Sequence, residues 1–181
     1  MKATGIVRRI DDLGRVVIPK EIRRTMRIRE GDPLEIYTDR EGEVIFKKYS
    51  PIGELGAFAA EYAETLYRTA ELPVAVLDKD AVIACAGIPK KEFLEKSVSP
   101  QMEEIMEGRN YKEAGGEELF LTHDRATPCR VSSVMPILSQ GDVIGAVCAV
   151  SSPEHPITLS REVEMKLVQT AAGFLGRQLE S

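Results

Sequence analysis

The spacing of hydrophobic residues changes along the chain near residue 50. Before that point, apolar and β-branched residues come in short runs separated by Asp, Gly and Pro, a pattern typical of strands and turns. The runs predict a helix of about two turns at residues 20–26 and strands at residues 3–10, 15–18, 34–38 and 43–48. The first part of the chain is therefore predicted to be a small β-rich unit with one short helix.

After residue 50 the pattern first becomes helical. Apolar residues recur at three- and four-residue steps from Ile52 to Ala70, which predicts one long helix. The later segments predict a last helix capped by Ser160, hairpins at 74–85 and 130–150, and short helices at 90–96 and 100–106. Strands bracketed by helices predict an α+β domain in which helices cover one side of an antiparallel sheet.

These patterns divide the chain into a first domain (residues 1–50), a linker (51–55) and a second domain (56–181). The first domain has no Trp and few large apolar residues, and a chain of this size buries too little surface to be comfortably stable alone. A core shared between two copies would supply the missing burial, so we expect a dimer. The first and last helices of the second domain carry stripes of small residues, which suit either a cover for the sheet or a second dimer contact.

The net charge of −5 is unevenly distributed. Residues 1–50 carry a net charge of +3 and residues 51–181 a net charge of −8, while residues 1–29 alone carry +6. A basic segment on an otherwise acidic protein is typical of a nucleic-acid-binding region. We therefore expect the first domain, and not the second, to bind a polyanion.

Arginines dominate the basic segment. Arg8 and Arg15 lie on either side of a predicted turn at residues 11–14, and Arg23 and Arg24 lie on the predicted short helix. The guanidinium group carries a permanent charge, and its planar donors match phosphate groups and guanine edges. Each position occurs twice in a dimer, which suits two similar half-sites on double-stranded DNA.

The same part of the chain closely resembles the AbrB family of bacterial transition-state regulators. The resemblance lies in residues 4–8, 11–19, 21–24, 34–37 and 47–49. It implies a swapped-hairpin dimer, in which strands of two chains interleave in one barrel. It also implies DNA contact through Arg8, Arg15, Arg23 and Arg24, with a further phosphate contact from Arg9.

The second domain is similar to GAF domains in its bracketing helices, its first hairpin and its strand pair at 131–138 and 143–150. An AbrB-like head joined to a GAF-like body resembles regulators of spore-forming bacteria that activate some sporulation genes and repress others. The resemblance implies a homotetramer in which helices of the second domain join two DNA-binding dimers. The Asn-Lys-x-Asp-x-x-x-Phe motif of cyclic-nucleotide-binding GAF domains is absent. The second domain is thus either a sensor of an unknown small-molecule ligand or an assembly module.

Other classes of function have little support in the sequence. There is no glycine-rich phosphate loop, and His123, Cys129 and His155 stand in no catalytic or metal-ligand spacing. We therefore expect no enzymatic activity, no cofactor and no metal site, and we expect the three cysteines to be reduced structural residues. Residues 1–12 lack the apolar stretch of a signal peptide, and the longest apolar run, 143–150, is far shorter than the roughly 20 residues that span a bilayer. These features favour a cytoplasmic, nucleoid-associated protein.

Two other hypotheses stay open at this point. Swapped-hairpin domains also occur in antitoxins, in which case the second domain would hold a toxin or another protein partner. Antitoxins usually neutralise their toxins through a flexible tail, whereas the second domain has the pattern of an ordered domain. A small-molecule-binding or enzymatic protein that dimerises through its head would leave the arginines unexplained.

Overall fold

The computed structural model describes residues 5–180 of the chain. The chain divides into two compact units, of which the first ends at Tyr49 and the second begins at Ser50. Residues 3 and 4, with which the first predicted strand begins, lie outside the described part. Residues 51–55, which the sequence assigns to a linker, fall inside the second unit.

The first unit contains one helix and one hairpin among its described residues. Helix α1 spans Lys20–Thr25, and strands β1 (Leu34–Thr38) and β2 (Val44–Lys48) pair antiparallel. The Asp39 carboxylate accepts hydrogen bonds from two backbone N–H groups of the connecting turn, at 3.0 and 2.8 Å. The short helix and the hairpin predicted from the sequence are therefore both present.

The two strands predicted at residues 3–10 and 15–18 are not formed in the described part of the chain, which includes residues 5–10 of the first. Residues 5–10 and 15–18 belong to no sheet, and their apolar side chains are mostly exposed, Val7 by 84%. A strand is held by hydrogen bonds to a neighbouring strand. Apolar β-branched residues indicate that a segment suits a sheet, but they do not indicate which chain supplies the neighbour. One chain by itself does not complete this sheet.

The second unit consists of a helical start, a sheet and a helical end. Its elements in chain order are α2 (Pro51–Glu54), α3 (Gly56–Ala70), β3 (Val74–Asp78), β4 (Val82–Ala86), α4 (Lys90–Phe93), α5 (Pro100–Glu107), β5 (Lys112–Glu113), β6 (Arg130–Ser139), β7 (Asp142–Ser151) and α6 (Arg161–Gln178). Within residues 5–180, no helix is both long and apolar enough to cross a membrane.

The helix predicted from Ile52 to Ala70 is divided between α2 and α3. The Ser50 side chain caps α2. Its hydroxyl group also donates a hydrogen bond of 3.0 Å to the carboxylate of Asp78 at the end of β3. Ile52 is completely buried in the core beneath α3 and α6. Residues 51–55 are therefore a folded segment and not a free linker, because the side chain of Ile52 is anchored in the second unit.

The five strands of the second unit form one antiparallel sheet in the order β4-β3-β7-β6-β5. The two predicted hairpins are β3–β4 and β6–β7, and pairing of β3 with β7 joins them. The sequence does not predict β5, because a strand of two polar residues is too short to show any periodicity. The predicted α+β class, with an antiparallel sheet flanked by helices in a GAF-like arrangement, is confirmed.

The sheet is covered on both faces. Helices α3 and α6 cover one face through residues such as Ala63 and Leu175, and α4 and α5 cover the other through Phe93 and Met102. The prediction that helices cover one side only is wrong. The sequence predicted α4 and α5 as short helices but did not indicate which face of the sheet they cover. The first four residues of β3 are all buried and so require cover on both sides.

Helix α6 approaches the sheet closely at Gly176. A Cβ atom added at Gly176 would collide with the backbone carbonyl oxygen of Leu138 in β6. Gly173 on the same helix is exposed, and a Cβ atom there would have no neighbour within 4 Å. The small residue at position 176 thus serves the packing of the helix on the sheet.

We expect Gly176→Ala to lower the free energy of unfolding of the second unit by about 1–3 kcal/mol, because backbone must shift to admit the methyl group. Gly173→Ala is the matched control and should raise that free energy by about 0.5–1 kcal/mol, because alanine favours the helix. Urea unfolding of the full chain, followed by circular dichroism, measures both changes. A stabilising effect of both substitutions would contradict the close approach at Gly176.

Candidate nucleic-acid interface

Arg8, Arg9 and Arg15 lie around a tight turn. Two backbone hydrogen bonds close the turn, each with a donor–acceptor distance of 3.0 Å. The N–H group of Asp11 donates to the carbonyl oxygen of Arg15, and the N–H group of Gly14 donates to the carbonyl oxygen of Asp11. Gly14 has a φ angle of +77°, in the left-handed region that favours glycine. All three arginines lie in exposed segments, with Arg8 and Arg9 before the turn and Arg15 after it.

The carboxylate of Asp11 organises this turn. Its Oδ1 atom accepts hydrogen bonds from the backbone N–H groups of Leu13 at 3.0 Å and Arg15 at 2.7 Å. Its Oδ2 atom accepts a hydrogen bond from Nε of Arg15 at 2.8 Å, which makes an ion pair. The backbone N–H of Arg15, and then its guanidinium group, hold the pKa of the Asp11 carboxyl below its usual value.

The sequence indicated Asp11 only as a turn residue. An aspartate whose side chain can accept a hydrogen bond from a backbone N–H two residues later is a common turn signal. That signal accounts for the bond to Leu13. The ion pair with Arg15 depends on the closed turn, so the sequence alone did not identify it.

Arg23 and Arg24 lie in the last turn of α1. Pro19 precedes this helix, and its carbonyl oxygen accepts a hydrogen bond from the backbone N–H of Arg23 at 2.9 Å. Positive charge near the C-terminus of a helix is favourable, because the backbone carbonyl groups there carry partial negative charge. The Arg24 residue is exposed and Arg23 is half-buried.

Lys48 of β2 links the hairpin to the segment that directly follows α1. Its ammonium group donates a hydrogen bond to the carbonyl oxygen of Arg27 at 2.8 Å and lies 3.8 Å from the carboxylate of Asp32. The same carboxylate accepts the backbone N–H of Arg29 at 2.8 Å. Lys48 therefore helps to position the helix that carries Arg23 and Arg24. The sequence does not reveal this role, because the contact joins residues 21 positions apart.

The five predicted arginines differ in their partners. In the described part of the chain, no carboxylate pairs with Arg8, Arg9, Arg23 or Arg24, and the Arg8 guanidinium donates only a long hydrogen bond of 3.3 Å to the preceding carbonyl oxygen. Arg15 alone of the five is paired with a carboxylate, that of Asp11. A guanidinium group without a neighbouring carboxylate keeps its full attraction for a phosphate group. The structure thus groups three arginines at one turn and two on one helix.

The second unit offers little catalytic chemistry. Cys85, Cys129 and Cys148 are free thiols in buried positions, and burial raises the pKa of all three thiol groups, which makes them poor nucleophiles. His123 is exposed in the loop before β6. Among residues 5–180, no group of three or more His, Cys, Asp or Glu side chains is arranged to hold a metal ion.

At least two cavities open on the described part of the second unit. The larger, of about 700 Å³, lies beside α5, and its charged lining is mostly acidic, with Glu104, Glu117 and Glu118 against Lys112. The smaller, of about 490 Å³, is lined by two glutamates and no lysine or arginine. Acidic linings do not favour a phosphate-bearing ligand, which agrees with the absence of the cyclic-nucleotide motif.

Known families match the two parts of the chain separately. Residues 54–180 match the family described as stage V sporulation protein T C-terminal, transcription factor. Residues 7–53 match the family described as antidote-toxin recognition MazE, bacterial antitoxin.

Individual proteins give a fuller comparison. The chain is 55% identical over 181 residues to stage V sporulation protein T of Bacillus subtilis (strain 168), covering 99% of both chains. Its first part is 65% identical over 51 residues to the transition state regulatory protein AbrB of the same organism, covering 28% of this chain and 52% of AbrB. A crystal structure of a methyl-accepting chemotaxis protein, residues 122 to 287, is similar with a TM-score of 0.53 at 14% identity, covering 70% of this chain and 93% of that one. This last similarity concerns the fold alone.

The AbrB-like head and the sporulation-regulator architecture predicted from the sequence are confirmed by these matches. The family similarity extends through both units, including the turn and the helix that carry the arginines. The chain belongs to the stage V sporulation protein T family of transcription factors.

Proposed function

We propose that this protein is a sequence-specific DNA-binding regulator that activates some sporulation genes and represses others in the cytoplasm. The observation that carries the proposal is the set of four arginines without a carboxylate partner in the described chain, in a segment of strong positive charge. Such a surface attracts the phosphate backbone of double-stranded DNA. Similarity to stage V sporulation protein T over the full chain supports the link to sporulation.

The DNA-binding form in this proposal is a homodimer through the first unit. Ile6, Val7, Ile10, Val16 and Val17 are exposed by 41–84% in the single chain. Leaving this many large apolar residues in water is unfavourable in so small a unit. Interleaving of these segments with those of a second copy would bury them and complete the sheet. The same pairing would place two copies of each arginine on one symmetric surface.

Two such dimers join into a homotetramer through helices α3 and α6 of the second unit. Three aromatic residues support this part of the proposal: the ring of Phe174 on α6 lies 5.7 Å from that of Phe58 and 5.3 Å from that of Tyr62, both on α3. Phe174 is 38% exposed, so its ring is only partly covered by these neighbours. A partly exposed aromatic cluster on two adjacent helices suits a protein–protein contact, because aromatic residues are enriched in such interfaces.

The second unit serves mainly as the assembly module in this proposal. Apolar residues fill the space between the sheet and the helices on both faces. The charged linings of the two cavities described above are mostly acidic, which does not favour a phosphate-bearing ligand at either of them.

An antitoxin-like role is the second candidate, and the match of residues 7–53 to the MazE family is the observation that favours it. In that case the protein would copurify with a tightly bound protein partner. The second unit is a folded domain with two apolar cores and not the flexible tail with which antitoxins usually neutralise a toxin. We therefore rank the antitoxin role below gene regulation.

The salt dependence of DNA affinity tests the proposed interface. If a dimer neutralises about six to eight phosphates, log K should fall with log[salt] at a slope of about −5 to −7. Arg24→Ala should weaken binding at every salt concentration. It should also reduce the magnitude of the slope by about 2, because each dimer loses two phosphate contacts. Gel-shift titrations on pooled genomic fragments at several salt concentrations provide both values.

Arg40→Ala is the matched control for Arg24→Ala. Arg40 lies in the β1–β2 turn of the same unit, is also exposed and, like Arg24, has no carboxylate partner in the described chain. Its removal takes away the same charge but should leave the slope nearly unchanged. An equal loss of slope in the two variants would contradict an interface at α1. As a control, light scattering should show both variants in the same oligomeric state.

The helix contact is tested by Phe174→Glu, which places a charge in the aromatic cluster. We expect light scattering to report dimers for this variant and tetramers for the unsubstituted protein, because a buried unpaired carboxylate strongly disfavours association. Leu94→Glu is the control, since Leu94 is also 38% exposed but follows α4, on the other side of the sheet. Tetramers of Phe174→Glu would contradict this contact.

A further inference from the structure

Arg15 differs from the other candidate DNA-binding arginines in being held by the protein itself. Its Nε atom donates to Oδ2 of Asp11 at 2.8 Å, while Oδ1 of the same carboxylate accepts the Arg15 backbone N–H at 2.7 Å. Asp11 therefore binds both ends of this residue, its backbone and its guanidinium group. The Arg15 side chain remains 69% exposed despite this pairing. The residue is thus fixed in place and still accessible.

The geometry of the pair leaves part of the guanidinium group free for another partner. The Asp11 carboxylate accepts a hydrogen bond from Nε, and within residues 5–180 the terminal Nη1 and Nη2 groups have no hydrogen bond to a carboxylate. These terminal groups are the donors that can bind O6 and N7 of guanine in the major groove. A long, flexible side chain usually loses rotamer freedom on binding, and an arginine that is already held loses less.

The pairing also changes what Arg15 contributes electrostatically. An arginine beside a carboxylate attracts a distant phosphate less than an unpaired one, because the two charges largely cancel at long range. A fixed donor group suits recognition of a base edge, which requires a defined direction, better than it suits general attraction to the DNA backbone. The unpaired Arg8, Arg9, Arg23 and Arg24 suit the latter role.

We propose that Asp11 is a specificity-determining residue that positions Arg15 to read a base edge, while the unpaired arginines supply most of the phosphate attraction. This inference rests on the proposed function, since it assigns different tasks to arginines of one DNA-binding surface. Asp11 touches no DNA in this account and acts through Arg15. The sequence preference of the protein therefore depends on an acidic residue that would otherwise repel the ligand.

Asp11→Asn tests this role with little disturbance of the turn. The amide oxygen can still accept the backbone N–H groups of Leu13 and Arg15, and asparagine is common in such turns. The amide nitrogen would then face Nε of Arg15, so the ion pair is lost. Asp12→Asn is the matched control, because Asp12 is the adjacent exposed residue, has no carboxylate-to-arginine pair in the described chain and undergoes the same change of charge.

The experiment uses the full chain and two duplexes of equal length and composition. One duplex is selected by the unsubstituted protein from a randomised pool, and the other is its scrambled sequence. The specificity ratio is the dissociation constant for the scrambled duplex divided by that for the selected duplex. Gel shifts at one fixed salt concentration give this ratio for the unsubstituted protein, Asp11→Asn, Asp12→Asn and Arg15→Ala.

We expect Asp12→Asn to bind both duplexes more tightly and to keep the ratio, because it only removes a repulsive charge. Asp11→Asn should bind the scrambled duplex more tightly as well, but its ratio should fall by about fivefold or more, the discrimination expected of one good bidentate base contact. The specificity ratio of Arg15→Ala should fall by the same factor. Reselection with both variants should show loss of preference at the same base position.

The outcomes separate this inference from the proposed function. Equal ratios for Asp11→Asn and Asp12→Asn, together with a reduced ratio for Arg15→Ala, would overturn the role of Asp11 and leave the DNA-binding interface intact. An unchanged ratio for Arg15→Ala would exclude base reading by Arg15. Failure of the unsubstituted protein to select any duplex would overturn the proposed function itself.

The pair can also be tested without DNA. The Asp11 carboxyl should titrate below the usual range for aspartate in an NMR pH titration, since its pKa is lowered by the Arg15 backbone N–H and then by the guanidinium group. In Arg15→Ala the midpoint should rise part of the way, because the backbone hydrogen bond remains. The stabilisation of the turn by this pair is present above the ordinary pKa and is lost as the pH falls through the lowered one. An unmoved midpoint in Arg15→Ala would show that the ion pair is absent in solution, which overturns the inference.

Discussion

The first unit buries too little apolar surface within one chain, and the rest of its structure follows from this constraint. A unit of about fifty residues with no Trp cannot enclose a core of its own, and the segments at 5–10 and 15–18 leave their apolar side chains in water in a single chain. In the proposed dimer, association with a second copy would relieve this shortage and, by symmetry, duplicate every arginine. The same step would then meet both the requirement for stability and the requirement for a two-fold DNA-binding surface. A domain large enough to fold alone would need a separate interface to achieve this.

The sequence predicted the second unit better than the first, and the reason is physical. Strands β6 and β7 are long, apolar and joined by a tight turn, so their pattern and their partners lie in one stretch of chain. The segments at 5–10 and 15–18 have an equally clear pattern, but no strand within residues 5–180 pairs with them. Strand β5 shows the opposite case, since its partner is nearby but its two polar residues carry no pattern. Periodicity predicts what a segment suits, and pairing decides whether it forms.

The sequence also predicted the candidate interface only in part. Composition and charge were enough to predict a basic, arginine-rich segment, because an excess of positive charge is visible in the sequence. The choice of Arg8, Arg9, Arg15, Arg23 and Arg24 within that segment came from the resemblance to the AbrB family. The residues that hold these arginines in place were not visible. Asp11 contributes negative charge to a basic region and Lys48 lies 21 residues from the carbonyl group that it binds. Simple charge counting would assign Asp11 to repulsion and Lys48 to DNA binding, whereas their contacts give both a positioning role.

Assembly through the second unit would change the energetics of DNA binding without adding any contact to DNA. When two dimers are joined, binding of the first makes binding of the second an intramolecular event, and the gain can reach about 10²–10⁴ where both sites are within reach. Such a gain favours pairs of sites at suitable spacing over single sites. It also allows each dimer to bind weakly enough to dissociate from non-specific DNA. An acidic second unit suits this role, because its net charge of −8 over residues 51–181 keeps it from competing with the arginine surface for phosphate. In the proposed tetramer, the division of charge between the two parts of the chain would therefore separate the part that binds DNA from the part that determines how many DNA-binding surfaces act together.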